Sequence, residues 1–317
     1  MTQVAREDST ARFVVLGMGG TIAGRARQAG DNVGYEAGQV RVEDLAPGLP
    51  ALAGLDIRFE QVAQIDSKDM RLAELQALVR RVQALLHDPQ VQAVVVTHGT
   101  DTLEETAYLL QTLLVPSKPV VLTCAMRPAT AVSPDGPQNL SDALAVAAHP
   151  GARGVTVVCA GRVHGAFEVA KQHPYRTDPF DSGDAGAIAQ VEEGRVRRFR
   201  DWPAEGRHGP RCAAFLAAAA LPRVAWIDSH ADAGAWQVEA LCAAGVQGLV
   251  VAGTGNGSVH QHLLQALRAA RDAGVRVVLA TRSGAPLVGH PAQAFEALDG
   301  LSPVKARWAL ALDLLPG

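Results

Sequence analysis

Short, nearly uninterrupted apolar runs recur along the chain, at residues 13–16, 57–65, 91–96, 120–124, 155–159, 224–227, 249–251 and 275–279. Between several of them apolar residues return every three to four positions instead. Met70, Leu72, Leu75, Leu78, Val79, Val82, Leu85 and Leu86 fall on or near one face of such a segment. Leu103, Ala107, Leu110 and Leu114 do the same in another. A strand without polar alternation is buried on both faces, and an amphipathic helix between two such strands covers one of them. The pattern therefore predicts an α/β protein with a mostly parallel sheet flanked by helices. The alternation lapses between about residues 183 and 221. There, 188–190 and 196–199, separated by Glu193-Gly194, predict a hairpin. A stretch rich in Pro, Gly, Arg and Ala follows before the pattern resumes. We read a larger N-terminal domain over 1–200, a linker over 201–220 and a smaller C-terminal α/β domain with a parallel sheet over 221–317. A length of 317 residues suits two domains.

Composition narrows the partners. A 48% hydrophobic content supports a large core, and a net charge of −3 gives no basic surplus for nucleic acid or an anionic membrane. No stretch of about 18 uninterrupted apolar residues exists to span a bilayer. Cys124, Cys159, Cys212 and Cys242 include no CxxC pair, and they are expected to be reduced thiols of a reducing compartment. The first nine residues are polar and lack the apolar core of a secretory signal. The expected location is the cytoplasm.

Three places carry candidate chemistry. Gly17-Met18-Gly19-Gly20-Thr21-Ile22-Ala23-Gly24 follows a strand directly. Ile22 stands where a dinucleotide fingerprint needs its third glycine, so the segment reads as a flexible turn presenting one hydroxyl, Thr21, at the ligand-binding edge of a sheet. Thr97-His98-Gly99-Thr100-Asp101-Thr102-Leu103-Glu104-Glu105 likewise ends a strand and opens a helix. Asp101 with Glu104, or Thr102 with Glu105, has the spacing of a capping box, so Asp101 also has a purely structural reading. Free N–H groups at such a helix start favour an anionic substrate group. Lys171 is the third: beside a hydroxyl and a carboxylate, a lysine whose pKa burial lowers acts as a base. The histidines are scattered without a zinc-binding pattern, so no metal is expected, and no G-x-S-x-G elbow occurs.

Together these segments resemble the bacterial L-asparaginases, two-domain amidohydrolases of the asparaginase–glutaminase family. The resemblance runs from Val14 to Arg307. It is carried by the segments around Thr21 and Thr100, Ser67-Lys68-Asp69-Met70, Ala125-Met126-Arg127-Pro128, Asp135-Gly136-Pro137 with Asn139-Leu140, Gly253-Thr254-Gly255-Asn256-Gly257 and Leu301-Ser302-Pro303-Val304-Lys305-Ala306-Arg307. It implies hydrolysis of L-asparagine, or of a related amide such as glutamine, with Thr21 as nucleophile and Tyr35 beside it. It makes Thr100, Asp101 and Lys171 a second catalytic group. The implied substrate contacts are Gly20, Ser67, Thr100, Asp101 and Ala125, with Asp66 a further candidate and Asn256 reaching a neighbouring subunit. It further implies a homotetramer built from intimate dimers, and no cofactor.

Two departures stand out. Lys68 occupies a position where many relatives carry glutamine or glutamate against the substrate's amino group, and an ammonium there would repel it. The stretch 286–300 is where relatives carry a glutamate reaching a neighbour's site, and Glu296 is no clear counterpart. Asp66, where many relatives have glycine, either compensates for Lys68 or pairs with it, since residues two apart share a face of an extended segment. The glycine-containing segment from Gly24 to Gly34 reads as a lid over Thr21.

Overall fold

The computed structural model describes residues 12–28, 30–45, 55–204, 206, 208–283, 287–288, 295–298 and 300–316. The polar start of the chain and most of 286–300 lie outside the described residues. An eight-stranded sheet organises the N-terminal unit. In chain order its strands are β1 Arg12–Gly19, β2 Ile57–Ile65, β3 Val91–Thr97, β4 Pro119–Thr123, β5 Gly154–Cys159, β6 Arg162–Gly165, β7 Ala189–Glu192 and β8 Arg195–Arg198. The spatial order is β8-β7-β6-β5-β4-β3-β1-β2. Pairing is parallel from β2 through β5 and antiparallel from β5 to β8.

The continuous apolar runs follow from two covered faces. Val14, Leu16, Val94, Val96, Val120 and Leu122 point to one side, where helices α1 (Leu72–His87) and α2 (Leu103–Leu114) pack. Phe13, Val15, Val95 and Val121 point to the other, where α3 (Gly136–Ala148) packs with Leu140, Ala143, Leu144 and Ala147. The expected hairpin is β7–β8, whose turn residues Glu193 and Gly194 have φ of 49° and 71°. It extends the main sheet at its antiparallel end.

Residues 201–220 are not simply extended chain. They include α4 (Cys212–Ala217), tied to α1 by Gln76 Nε2, which donates to the carbonyls of Phe215 at 2.8 Å and Ala218 at 2.9 Å. The C-terminal unit is a parallel four-stranded sheet of β9 Val224–Asp228, β10 Gly248–Gly253, β11 Arg276–Thr281 and β12 Glu296–Ala297. Helices α5 (Trp236–Ala243) and α6 (Gln261–Asp272) cover one face, built on Leu249, Val251, Val277 and Leu279. Helix α7 (Pro303–Asp313) covers the other and also meets α2, where Trp308 Nε1 and Arg307 Nη2 both donate to the Glu105 carboxylate. All four cysteines are free thiols. No helix among the described residues is long and apolar enough to cross a membrane.

Candidate active site

The parallel part of the sheet runs β2-β1-β3-β4-β5, so the chain leaves β1 for a neighbour on one side and later builds outward on the other. Ligands of open α/β sheets bind in the crevice where this reversal occurs, beyond the strands' C-terminal ends. Thr21 follows β1 and Thr100 follows β3, so both hydroxyls stand at that point. Glycine brings the two turns together. Gly20 has φ +79°, and a β-carbon on it would lie 2.3 Å from Gly99 Cα. A β-carbon on Gly99 would in turn lie 2.5 Å from Ser67 Oγ. The turns after β1 and β3 thus meet main chain to main chain, and the Ser67 side chain packs against the second of them. The N–H of Gly20 donates to the Ile65 carbonyl at 2.9 Å, and its carbonyl accepts from the N–H of Gly38 at 3.0 Å.

Thr21 begins a single 3-10 turn, Thr21–Ala23, and is only 7% exposed. Its hydroxyl lies 2.6 Å from that of Tyr35, close enough for a proton to pass either way. Tyr35 arrives on a short antiparallel ribbon in which Ala26 pairs with Tyr35 and Arg25 with Glu36. The Tyr35 ring packs so close to Gly24 that a β-carbon there would meet it at 2.8 Å. The proposed lid is the arm of this ribbon; Ala29 within it is outside the described residues. Thr130 holds the arm, its hydroxyl accepting from the N–H of Ala26 at 3.0 Å.

The second group is equally compact. Lys171 Nζ donates to Thr100 Oγ1 at 2.8 Å and to Asp101 Oδ1 at 2.6 Å. Thr100 is 5% exposed, so this hydroxyl meets little competing water. The capping-box expectation for this helix start is corrected: Thr102 is the N-cap residue, but no side chain caps the helix. Asp101 turns to Lys171, Thr102 Oγ1 donates to the Ser67 carbonyl at 2.9 Å, Glu104 accepts from the N–H of Lys171 at 3.4 Å, and Glu105 binds α7. Each group has a partner more distant in sequence than the cap.

Ser67 is buried, and its Oγ accepts from the N–H of Asp101 at 3.2 Å, which places it against the helix start. Asp66, which caps the 3-10 turn Ser67–Asp69, is paired side chain to side chain with Lys68 inside it. Asp69 stands 3.4 Å from the same ammonium. The pairing that their spacing allowed is present, in a turn rather than an extended segment. Ala125 is fully buried just past β4, clustered with Ile22 and Ala23 beneath Thr21. Asp135 fixes that turn by accepting from the N–H groups of Met126 and Arg127, both at 2.9 Å, and Asn139 reinforces it from α3.

Asn256 stands apart from this cluster. It sits past β10 in the C-terminal unit and exchanges two 2.7 Å hydrogen bonds with the main chain of Val288. Glu296 lies in β12, ion-paired with Arg276. Among the described residues, no group of three or more His, Cys, Asp or Glu side chains could hold a metal ion.

Two supporting residues went unassigned in the sequence. His98 is wholly buried. Its Nδ1 lies 2.7 Å from the Gly99 carbonyl, which can only accept, so Nδ1 carries the proton and Nε2 accepts from Thr106 Oγ1 at 3.0 Å. Burial pushes this imidazole down to about 4, keeping it neutral beneath the Thr100 turn. Lys305 on α7 reaches the segment that carries Lys171. Its own segment carried the family resemblance, but that gave Lys305 no role; the other signal was a lysine among the apolar residues of the last helix.

Comparisons with known proteins identify the family. The model of the asparaginase N-terminal domain matches residues 12–204, and that of the glutaminase/asparaginase C-terminal domain matches 223–315. The chain is 35% identical to a glutaminase-asparaginase of Pseudomonas fluorescens biotype A, over 99% of this chain and 85% of that protein. It is 33% identical to L-asparaginase 2 of Escherichia coli strain K12, over 95% of this chain and 88% of that one. The crystal structure of a probable cytoplasmic L-asparaginase from Campylobacter jejuni superposes with a TM-score of 0.88 at 34% identity, covering 97% of this chain and 96% of that one. On fold and sequence alike, the chain belongs to the asparaginase–glutaminase family.

Proposed function

We propose that the protein hydrolyses the side-chain amide of L-asparagine to L-aspartate and ammonia, with Thr21 as nucleophile. The observation that carries this reading is the pairing of two buried threonine hydroxyls at one switch point, each with its own proton partner: Tyr35 for Thr21 and Lys171 for Thr100. A threonine hydroxyl attacks an amide only when its proton has somewhere to go. As Thr21 Oγ1 bonds to the amide carbon, its proton passes through the Tyr35 hydroxyl to the amide nitrogen. The tetrahedral intermediate then expels ammonia, which takes up a proton, and leaves an aspartyl ester on Thr21. Water held at Thr100 attacks this ester, with Thr100 and Lys171 accepting its proton, and restores the Thr21 hydroxyl. Lys171, bonded to the Asp101 carboxylate in the free site, gives its proton to the departing ammonia, which leaves as ammonium, and is then able to accept one from the water. The oxyanion is bound by main-chain N–H groups of Thr21 and Thr100, the N–H of Gly20 being already committed to Ile65.

Ser67 and the start of α2 hold the substrate's α-carboxylate, Asp101 its α-amino group, and Ala125 the amide. Asn256 completes the site of a neighbouring subunit, which makes the working form an oligomer, a tetramer of paired dimers. Residues 1–200 form the catalytic domain and 221–317 the C-terminal one, and the protein works in the cytoplasm. The second reading, turnover of glutamine, is favoured by relatives named glutaminase-asparaginase. Ammonia release by purified protein, with L-asparagine and L-glutamine side by side, decides between them. A kcat/KM at least about tenfold higher on asparagine, the lower end of what one methylene discriminates, supports the first. Equal values refute the preference, and no release from either refutes the function.

A further inference from the structure

Lys305 is the third residue of α7, in the C-terminal unit, yet it is 0% exposed and its amine ends inside the N-terminal unit. Nζ donates to the carbonyl of Phe167 at 2.9 Å and, more closely, to that of Val169. Both carbonyls belong to the segment that delivers Lys171. A buried ammonium is costly unless paired and hydrogen-bonded. Glu104 supplies the countercharge from the first turn of α2. Burial raises the Glu104 pKa, and the positive charge of Lys305 opposes that rise. Burial likewise pushes the Lys305 ammonium down to about 8, against the pull of Glu104 and Glu168. Glu104 is also the carboxylate that accepts from the N–H of Lys171 at 3.4 Å. Glu168 is engaged by Arg200 at 3.0 Å, and Glu105 by Arg307 and Trp308, so neither replaces Glu104 in this role.

The main chain leading to Lys171 is therefore held by two side chains from different units. Lys305 grips it from α7, at the carbonyls of Phe167 and Val169. Glu104 grips it from α2, at the N–H of Lys171 itself. The segment's other main-chain anchors are local: Val169 N–H donates to the Gly165 carbonyl at 3.0 Å, Ala170–Lys171 pair with Phe180–Asp181, and Gln172 N–H donates to the Pro179 carbonyl at 2.7 Å, so its main-chain hydrogen bonds to α2 and α7 come from the two side chains.

We propose that Lys305, together with Glu104, is a positioning residue that sets Lys171 between Thr100 and Asp101, so that docking of the C-terminal helix α7 assembles the proton-transfer group of the N-terminal unit. This rests on the reading of Lys171 as catalytic. Lys305 touches neither substrate nor reacting atoms; it acts through the main chain. Displacing a reacting group by about 1 Å can cost about 10² in rate, so loosening this grip lowers kcat while the substrate contacts at Ser67 and Asp101 keep KM.

The test compares Lys305→Met, the double variant Lys305→Met/Glu104→Gln and Lys171→Met in ammonia release. Folding is followed by circular dichroism, and kcat is measured across pH. The double variant leaves no unpaired buried charge, so it decides the matter if Lys305→Met does not fold. The expected result is a folded protein with kcat reduced at least about tenfold, KM within about threefold of wild type, and a displaced alkaline limb of the pH–kcat profile. If Lys171→Met keeps wild-type kcat, the catalytic reading of Lys171 falls. If Lys171→Met is crippled while the folded double variant keeps both kcat and its pH profile, the positioning role of Lys305 is overturned.

Discussion

A β-carbon on Gly20 would stand 2.3 Å from the Cα of Gly99, so the turn presenting Thr21 and the turn presenting Thr100 touch without side chains between them. Gly20→Ala forces these turns apart and adds backbone strain at φ +79°, of order 1–2 kcal/mol. The expected result is a folded protein with kcat reduced at least about tenfold, checked by ammonia release alongside a thermal melt. Wild-type kcat in Gly20→Ala would show that the close approach of the turns is not needed.

In the proposed site, Asp66 and Lys68 are expected to influence substrate affinity through charge. Asp66, with Asp69 nearby, neutralises the Lys68 ammonium beside Ser67. Removing Asp66 leaves Asp69, 3.4 Å away, to offset that ammonium, so more of its charge opposes the substrate's α-amino group. Asp66→Gly is expected to raise KM for asparagine by about three- to tenfold and to change kcat less, both read from initial rates. An unchanged KM would remove Asp66 from the account.

Acid sensitivity follows from His98 and His164, each pushed down to about 4 by burial. An unfolded histidine titrates near 6.5, so between about 6.5 and 4 the unfolded chain binds protons that the folded one does not. Stability contributed by the neutral imidazoles is complete above about pH 6.5 and declines as pH falls, by up to about 3 kcal/mol for each. Glu104 and Asp142, whose acidity burial weakens, oppose part of this loss. Urea midpoints are expected to fall from pH 7 to pH 4, and to fall less in His164→Gln. A flat profile would contradict the buried neutral assignment.

The fold was legible because burial on both sheet faces leaves an uninterrupted apolar run, and Glu193-Gly194 marks a hairpin by backbone preference alone. The site was legible where residue type and position coincide, as at Thr21 and Thr100, each ending a strand. It was illegible where distant partners outcompete local ones. Glu104 and Glu105 have capping-box spacing, yet Lys171, Arg307 and Trp308 claim them. Lys305 stood in a segment that carried the resemblance, yet its role was hidden because its acceptors are main-chain carbonyls, which have no sequence signature. The pairing of Asp66 with Lys68 was open from their spacing, but nothing in the residues chose it over a substrate contact.

Asn256, bound to Val288 and apart from the Thr21 cluster, is expected to serve a neighbouring subunit. Thr21→Ala and Asn256→Ala are then each weak alone. Dissociated and reassembled together, they regain about a quarter of wild-type activity, since half the pairs are mixed and each mixed pair holds one intact site. No recovery in verified mixed oligomers would place Asn256 outside the shared site.

The most direct measurement is a rapid acid quench during asparagine turnover, followed by peptide mass analysis. The account predicts an adduct of asparagine less ammonia on the peptide containing Thr21, absent in Thr21→Ala, whose kcat falls at least about 10². An adduct on the Thr100 peptide instead, or undiminished turnover by Thr21→Ala, would contradict it.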